Sequence, residues 1–314
     1  MSEIIRKSKL AYQCYNFFKK SELAYNVPLY QKYGIPKKYY SPVSSEDFKH
    51  LESPLNIHDE KNSREELPKK TNFNQLDAET QESLLSWSDN GYVILKNYYT
   101  SDKVDLINKE IENLISTKKA DWKEASRIMF AIHKSKMLHD IGSDPKLIEI
   151  LNLLLGREVD LFQSINFINA SQQRSHSDSV HMSTFPFGNI IAVWIALEDI
   201  TPENGPLHYY PGSHKLPYIV NGDYNNVGTK FSLGPKTYGD YEDRIQQVID
   251  EEKIEKQTFL AKKGDLLIWH ANLLHGGEPL IDKNRTRKSM VFHYYAKDVI
   301  CFHEITQRPT LKKK

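Results

Sequence analysis

The spacing of apolar residues divides this chain into stretches of different rhythm. Up to about residue 74 there is none. The segment is polar, with scattered tyrosines (Tyr12, Tyr15, Tyr25, Tyr30, Tyr33, Tyr39, Tyr40) and prolines (Pro28, Pro36, Pro42), and 52–72 is dominated by charge and Asn. Residues 1–74 therefore read as a polar, Tyr-rich arm. A loosely ordered segment, a wrap around the main body and a subunit contact all stay open for it. From about residue 75 a helical period sets in. Leu84 and Leu85 fall in a short predicted helix, and Tyr92-Val93-Ile94-Leu95 reads as a buried strand. Val104, Ile107, Ile111, Leu114 and Ile115 make a 3.6-residue stripe behind an N-cap at Ser101. Asp144-Pro145 opens a second helix, a cap followed by proline at the first helical position, and Gly156 closes it.

After Gly156 the period changes to two. Val159, Leu161, Gln163, Ile165 and Phe167 share one parity, as on one face of a strand. The run IIAVWIAL over 190–197 is apolar on both parities, which predicts a strand covered on both faces. Further strands are expected at 207–210, 258–261, 266–269 and 289–295, punctuated by Asn204-Gly205-Pro206, Pro211-Gly212 and Lys263-Gly264-Asp265. Helices first and many short strands afterwards predict a mostly β domain over 75–314, a β-sandwich or jelly roll buttressed by α-helices. Residues 218–257 interrupt it as a long excursion with a charged helix around 240–256. Insertions of this length are often lids or substrate-contacting loops, and that is the expectation here.

Composition narrows the function more than the fold. The 314 residues suffice for a sizeable core. Lys plus Arg total 42 and Asp plus Glu 41, a net charge of +1. So even a balance carries no footprint for nucleic acid and no polybasic run for a membrane surface. Lys312-Lys313-Lys314 reads as a solvated tail. Cys14 and Cys301 provide neither a disulfide framework nor zinc-site spacing, which fits a reducing compartment. The opening MSEIIRKSK lacks the apolar stretch of a signal peptide, and the 190–197 run is too short to span a bilayer. The expectation is a cytoplasmic protein with a small-molecule substrate and no nucleic-acid or membrane partner.

Candidate chemistry starts at His176-Ser177-Asp178. On an extended segment, residues i and i+2 project to one side, so an imidazole and a carboxylate can converge on one point. A distant second histidine would complete two imidazoles and one carboxylate, the facial set that leaves positions open on iron(II). A His-x-Asp triplet alone is common, and an ordinary surface turn is its bland reading. Four features follow it in order. The covered strand ends in Trp194-Ile195-Ala196-Leu197-Glu198-Asp199, and Glu203-Asn204-Gly205-Pro206-Leu207 leads to Pro211-Gly212-Ser213-His214. Gly264-Asp265-Leu266-Leu267-Ile268-Trp269-His270 then runs into Leu274-His275-Gly276-Gly277, and Arg287-Lys288-Ser289 opens another strand.

Taken together, these motifs resemble the phytanoyl-CoA dioxygenase family of 2-oxoglutarate oxygenases, over roughly residues 80–298. The resemblance implies a double-stranded β-helix (cupin-like), iron(II), and 2-oxoglutarate and O2 as co-substrates. Carried over residue by residue, it implies His176, Asp178 and His275 as iron ligands, and Arg287 as the partner of the distal carboxylate of 2-oxoglutarate. An arginine suits that task because its planar fork meets a carboxylate with two charge-assisted bonds. Ser289, on the same strand face, is expected to join that contact, and Trp194 and Gln163 to lie beside the co-substrate. Arg285 shares strand parity with Arg287 and is its rival, but only Arg287 stands in the family wording. The sequence departs from the family pattern at Ser177, where Gln is common, and at Gly277, where Ser is common.

Other histidines have plainer readings. His270 lacks the following glycine of the ligand position, and His214 belongs to a structural turn. His293 reads as a hydrogen-bonded core residue, and Trp269 and Tyr294 as core. His181 either lines the pocket or makes an ordinary polar contact. Substrate contacts are expected from Arg174, His181, Phe185, Tyr209 and the 218–257 excursion. Since Asp178 retains the carboxylate that halogenating relatives lack, the implied reaction is hydroxylation, with desaturation or oxidative ring closure open. No basic cluster marks a coenzyme A phosphate site, so the expected substrate is a small metabolite, amino-acid-like or a biosynthetic natural-product intermediate. The alternatives are an acyl-CoA hydroxylase and a metal-dependent jelly-roll protein without oxygenase activity.

Overall fold

The computed structural model describes residues 7–53, 57–119 and 127–312. Its centre is an antiparallel sheet in the order β1-β8-β5-β10-β3-β2, built from Tyr92–Leu95 (β1), Arg127–Met129 (β2), Val159–Phe167 (β3), Ile190–Ala196 (β5), Leu266–His270 (β8) and Ser289–Ala296 (β10). A three-stranded sheet, β7-β6-β9, comprises Gln257–Phe259 (β7), Leu207–Tyr209 (β6) and His275–Gly277 (β9). Another, β12-β11-β4, comprises Arg308–Pro309 (β12), Ile300–His303 (β11) and Ser183–Phe185 (β4). Every β5 residue is buried, as the unbroken apolar run predicts.

The two faces of the central sheet meet different partners. Ile191, Val193 and Ile195 join one core with Val104, Ile107, Ile111 and Leu114 of helix Ser101–Ser116 and with Leu147, Ile150, Leu151 and Leu154 of helix Pro145–Leu155. Ala192, Trp194 and Ala196 face the other way, into a core with Leu207, Tyr209 and Phe259 of the small sheet. Each fully buried aliphatic side chain contributes about 1.5–3 kcal/mol through removal from water. The two helices begin where small polar caps satisfy free backbone N–H groups. Thr100, one residue before the expected Ser101, accepts from Lys103 N, and Asp144 accepts from Leu147 N. Gly156 closes the second helix in the left-handed conformation, φ 68°.

β3 departs from the single-face reading. Its register with β10 skips at His293/Tyr294, so that Leu161 opposes Tyr294 and Gln163 opposes His293. The extra residue, Phe162, inverts the alternation. Val159 and Leu161 pack with the helical layer, whereas Ile165 and Phe167 pack with the interior of the two sheets.

Among the described residues up to 74, the elements are short helices. Leu67 and Phe73 belong to the main helical core, and Leu29, Tyr30, Val43 and Phe48 pack on β4 and β11 through Phe185, Ile300 and Phe302. Residues 54–56, in the stretch expected to be loosely ordered, lie outside the described residues, as do the opening 1–6 and Lys313-Lys314 of the terminal run. Lys312 lies 3.8 Å from Asp160. No helix among the described residues is long and apolar enough to cross a membrane.

Glu304 ties these parts together. Its fully buried carboxylate accepts from Ser45 N (2.9 Å), Ser45 Oγ (2.6 Å) and Asn221 N (3.0 Å), joining the arm, the excursion and the end of β11. Burial raises its pKa, and the three donors partly offset this. Glu304→Ala would strand those donors in the interior. The expected cost is roughly 3 kcal/mol of unfolding free energy in urea, with Glu304→Gln losing less.

Candidate active site

Two backbone hydrogen bonds set the site. His176 N donates to His275 O and His275 N to His176 O, each at 2.9 Å, so the two residues form a reciprocal pair across 99 positions of sequence. The chain following His275 runs tightly beside 171–173. A Cβ at Gly276 would lie 2.6 Å from His208 Nε2, and one at Gly277 would lie 2.7 Å from Ser171 Oγ. Both positions therefore favour glycine. Asp178 opens the turn Asp178–Val180 two residues after His176.

Side-chain donors of His176, Asp178 and His275 lie within 4.8 Å of one another, and all three residues are buried. The ring Nδ1 of His176 is 2.9 Å from Arg174 O, and that of His275 is 2.9 Å from Leu273 O. Against a carbonyl each Nδ1 must carry the proton, so both Nε2 atoms keep free lone pairs, the form that binds a metal. Burial, reinforced by His275, lowers the His176 pKa to about 3. Burial alone would raise the Asp178 pKa, but His275, His293 and His176 outweigh it and hold the group well below the usual carboxylate range. His176 is thus neutral and Asp178 ionised at neutral pH, the forms that bind a metal.

Two residues expected to be plain core belong to this centre. Trp269 Nε1 donates to Asp178 Oδ2 at 2.7 Å, and its ring lies 4.7 Å from that of His275. His293 Nε2 is 3.6 Å from the same Asp178 oxygen. The signal that sequence reading passed over was chemical: a buried indole N–H needs an acceptor.

Arg287 is buried, and its Nη1 donates to Ser289 Oγ at 2.7 Å. Its guanidinium lies 5.3 Å from the Phe167 ring and 5.8 Å from the Trp194 ring, and its Nε has no partner. Burial lowers its pKa to about 10, and Glu198 acts against that. Trp194 Nε1 is likewise unpartnered. Arg285 instead bonds Thr201 Oγ1 at 3.0 Å and lies half-exposed near Glu203, outside this pocket. Gln163 is half-buried on β3, opposite His293.

The remaining candidates separate. His181 lies beside the triad, with its ring 6.2 Å from that of His176 and 4.7 Å from that of Tyr238. Tyr238 begins the helix Tyr238–Glu252 of the excursion, and Tyr241 of that helix bonds Ser177 N at 3.1 Å, between two of the three site residues. Arg174 pairs with Asp243 of the same helix at 2.7 Å. Phe185 is a correction. Pairing of β4 with β11 turns it into the arm cluster, stacked 4.4 Å from Phe48, where it is fully buried away from the site. Tyr209 pairs in register with His275 across β6 and β9, its ring 4.5 Å from that of Tyr92 and its hydroxyl 3.2 Å from Gln257 Oε1. His270 faces Asp59 at 3.3 Å and is not part of the triad. His214 packs against Gly91 and His270.

Two imidazoles and a carboxylate converging below the surface form the donor set of non-haem iron(II) oxygenases. Residues 87–289 match the family described as phytanoyl-CoA dioxygenase (PhyH), well over half of the chain. The chain belongs to that family. It is 27% identical over 204 residues to the ectoine dioxygenase of Sphingopyxis alaskensis, covering 59% of this chain and 66% of that one. With the peroxisomal phytanoyl-CoA dioxygenase of Rattus norvegicus it shares 23% identity over 242 residues, 68% of this chain and 67% of the relative. The fold is similar to that of SnoK, a non-haem α-ketoglutarate-dependent carbocyclase from nogalamycin biosynthesis, with a TM-score of 0.59 at 16% identity, covering 73% of this chain and 87% of that one. The iron-bound ectoine dioxygenase structure from S. alaskensis aligns with a TM-score of 0.54 at 21% identity, over 70% and 77%.

Burial is the leading cause that lowers the pKa of His181 to about 4, His208 to about 4, His214 to about 3 and His303 to about 3. Below pH 6.5 these groups take up protons in the unfolded chain but not in the folded one, so stability must fall as pH drops from 6.5 towards 4. The slope is up to about 1.4 kcal/mol per histidine per pH unit. Glu304 and Glu242, whose pKa values burial raises, oppose this. The thermal midpoint of metal-free protein should therefore decline between pH 7 and pH 5, and a flat or rising midpoint would contradict the buried neutral assignment.

Proposed function

We propose that the protein oxidises an unactivated C–H bond of a small-molecule metabolite, with iron(II) held by His176, Asp178 and His275 and with 2-oxoglutarate and O2 as co-substrates. The observation that carries this reading is Arg287, a buried cation whose guanidinium donates to a neutral serine while its Nε has no partner. A desolvated guanidinium is costly without an anion, and a dicarboxylate entering beside it would supply one. Ser289 fixes one edge of the fork, and Trp194 and Phe167 flank its plane. Gln163 is assigned to the same co-substrate pocket. In this reading the sheets form a double-stranded β-helix with the iron site between them, and the protein works in the cytoplasm.

Iron(II) in this site supplies activation of O2 coupled to decarboxylation of 2-oxoglutarate to succinate and CO2. The chain's own residues do the rest. His176 and His275 present Nε2, because backbone carbonyls hold the proton on Nδ1. Asp178 completes the facial set and leaves no place for a halide, which favours hydroxylation, with desaturation or ring closure by the same oxidation. Arg287 orients the co-substrate by its far carboxylate. Trp269, Val291 and Trp194 belong to the apolar wall that excludes water. The excursion 218–257 acts as a lid, since Tyr238 lies over His181 and Tyr241 bonds the backbone beside the metal ligands. His181 and Arg174 at that lid are the assigned substrate contacts.

Anaerobic addition of iron(II) and then 2-oxoglutarate to metal-free protein should produce the weak visible band of the chelate. His176→Ala should abolish it, and Arg287→Ala should raise the 2-oxoglutarate requirement at least tenfold, in line with loss of a buried charge-assisted pair. Iron binding without a band at any 2-oxoglutarate concentration would overturn the proposal. With the band in hand, succinate release should be stimulated by small metabolites rather than acyl-CoA thioesters.

A further inference from the structure

We infer that Trp269 is a positioning residue that holds Asp178 as a single-oxygen ligand and so keeps one coordination position free. The inference rests on the metal-site reading above. Asp178 Oδ2 accepts the indole N–H of Trp269 at 2.7 Å, within a fully buried environment. His293 Nε2 stands 3.6 Å from the same oxygen, too far for a well-formed hydrogen bond, which leaves the indole as the main donor. The other oxygen, Oδ1, lies 3.9 Å from His275 Nε2, on the side where the three donors converge. One carboxylate oxygen is therefore committed to the protein and the other is presented to the metal.

This division has a consequence for coordination. Iron(II) of this ligand type accepts about six donors. Two imidazoles and one carboxylate oxygen leave about three places, enough for a two-point chelate by a keto acid and one further small ligand. A carboxylate free to slide onto the metal through both oxygens would take one of those places. The indole opposes that slide, because Oδ2 would have to surrender a short hydrogen bond in a site where water cannot replace it. Rigidity comes from the scaffold. Trp269 lies on β8, whose backbone pairs with β5 on one side and β1 on the other, and its ring is wedged against His275.

The test separates this role from packing. Trp269→Phe keeps most of the ring volume and removes the N–H. Trp269→His removes the benzo ring and keeps a ring N–H at the corresponding place. Cobalt(II) binding to metal-free protein is followed by visible absorption, and the anaerobic iron(II)/2-oxoglutarate band is recorded on each protein, with thermal midpoints as the check on folding. If Trp269 positions Asp178, the Phe variant loses about tenfold or more in cobalt affinity, the scale typical of groups that orient metal ligands. Its cobalt spectrum changes in intensity, and it needs more 2-oxoglutarate to form the band. The His variant stays closer to the parent in all three readouts despite a lower midpoint. The inference is overturned if the Phe variant matches the parent in affinity and spectrum while the His variant loses both, because packing alone would then govern. Failure of the parent itself to bind cobalt would remove the metal site, and the inference with it. A parent that binds cobalt but forms no 2-oxoglutarate band would sink the co-substrate reading and leave the affinity comparison to decide the role of Trp269.

Discussion

Everything at the centre of this molecule depends on the paired backbone bonds between His176 and His275. They join the segment that follows β3 to the last strand of the small sheet, and they do so at the two residues whose side chains must meet. A backbone pair of this kind fixes both Cα positions before any side chain is placed, so the imidazoles need only their rotamers to converge. The carbonyls of Arg174 and Leu273 then set those rotamers and the tautomer together. Asp178 follows because it is two residues away, and the central sheet holds it from the opposite side through Trp269. The centre is thus a seam closed from both sheets rather than a decoration on one of them.

The same arrangement explains why the pocket can be dry. The central sheet is covered on one face by helices and on the other by the small sheet, so its middle strand has no wet surface. Charges placed in such an environment interact strongly, and a lone charge is penalised. Arg287 is such a charge, flanked by Phe167 and Trp194, with a backbone N–H that donates to Ile168 O at 2.7 Å. The site is therefore biased towards an anion before one arrives.

Local chemistry was the most legible part of the sequence. The caps at Asp144 and Gly156 and the doubly buried run at 190–196 stand where their residues place them, because each depends on neighbours only a few positions away. The N-cap at Thr100 rather than Ser101 is a one-residue slip between two hydroxyl side chains with the same capability. The strands Arg127–Met129, Ser183–Phe185, His275–Gly277 and Ile300–His303 are too short for a period to show. The triad was readable as a pattern of motifs, whereas Trp269 was not, since its bond to Asp178 spans 91 residues and crosses from one sheet to the segment between sheets. His293 escaped for the same reason. Phe185 looked close to the site along the chain, but the pairing of its strand with Ile300–His303 carries it to the arm.

The bulge at Phe162 splits one strand into two independent stretches. Val159 and Leu161 answer to the helices behind the sheet, and Ile165 and Phe167 answer to the arginine pocket in front of it. In a regular strand, an alternating set of side chains would all share one neighbourhood and would have to drift together over time. Here the first half can be tuned for firmness of the shell, and the second for the shape of the chamber, with little cross-talk between them. Losing that one extra residue would couple the two again and turn Ile165 and Phe167 out of the chamber.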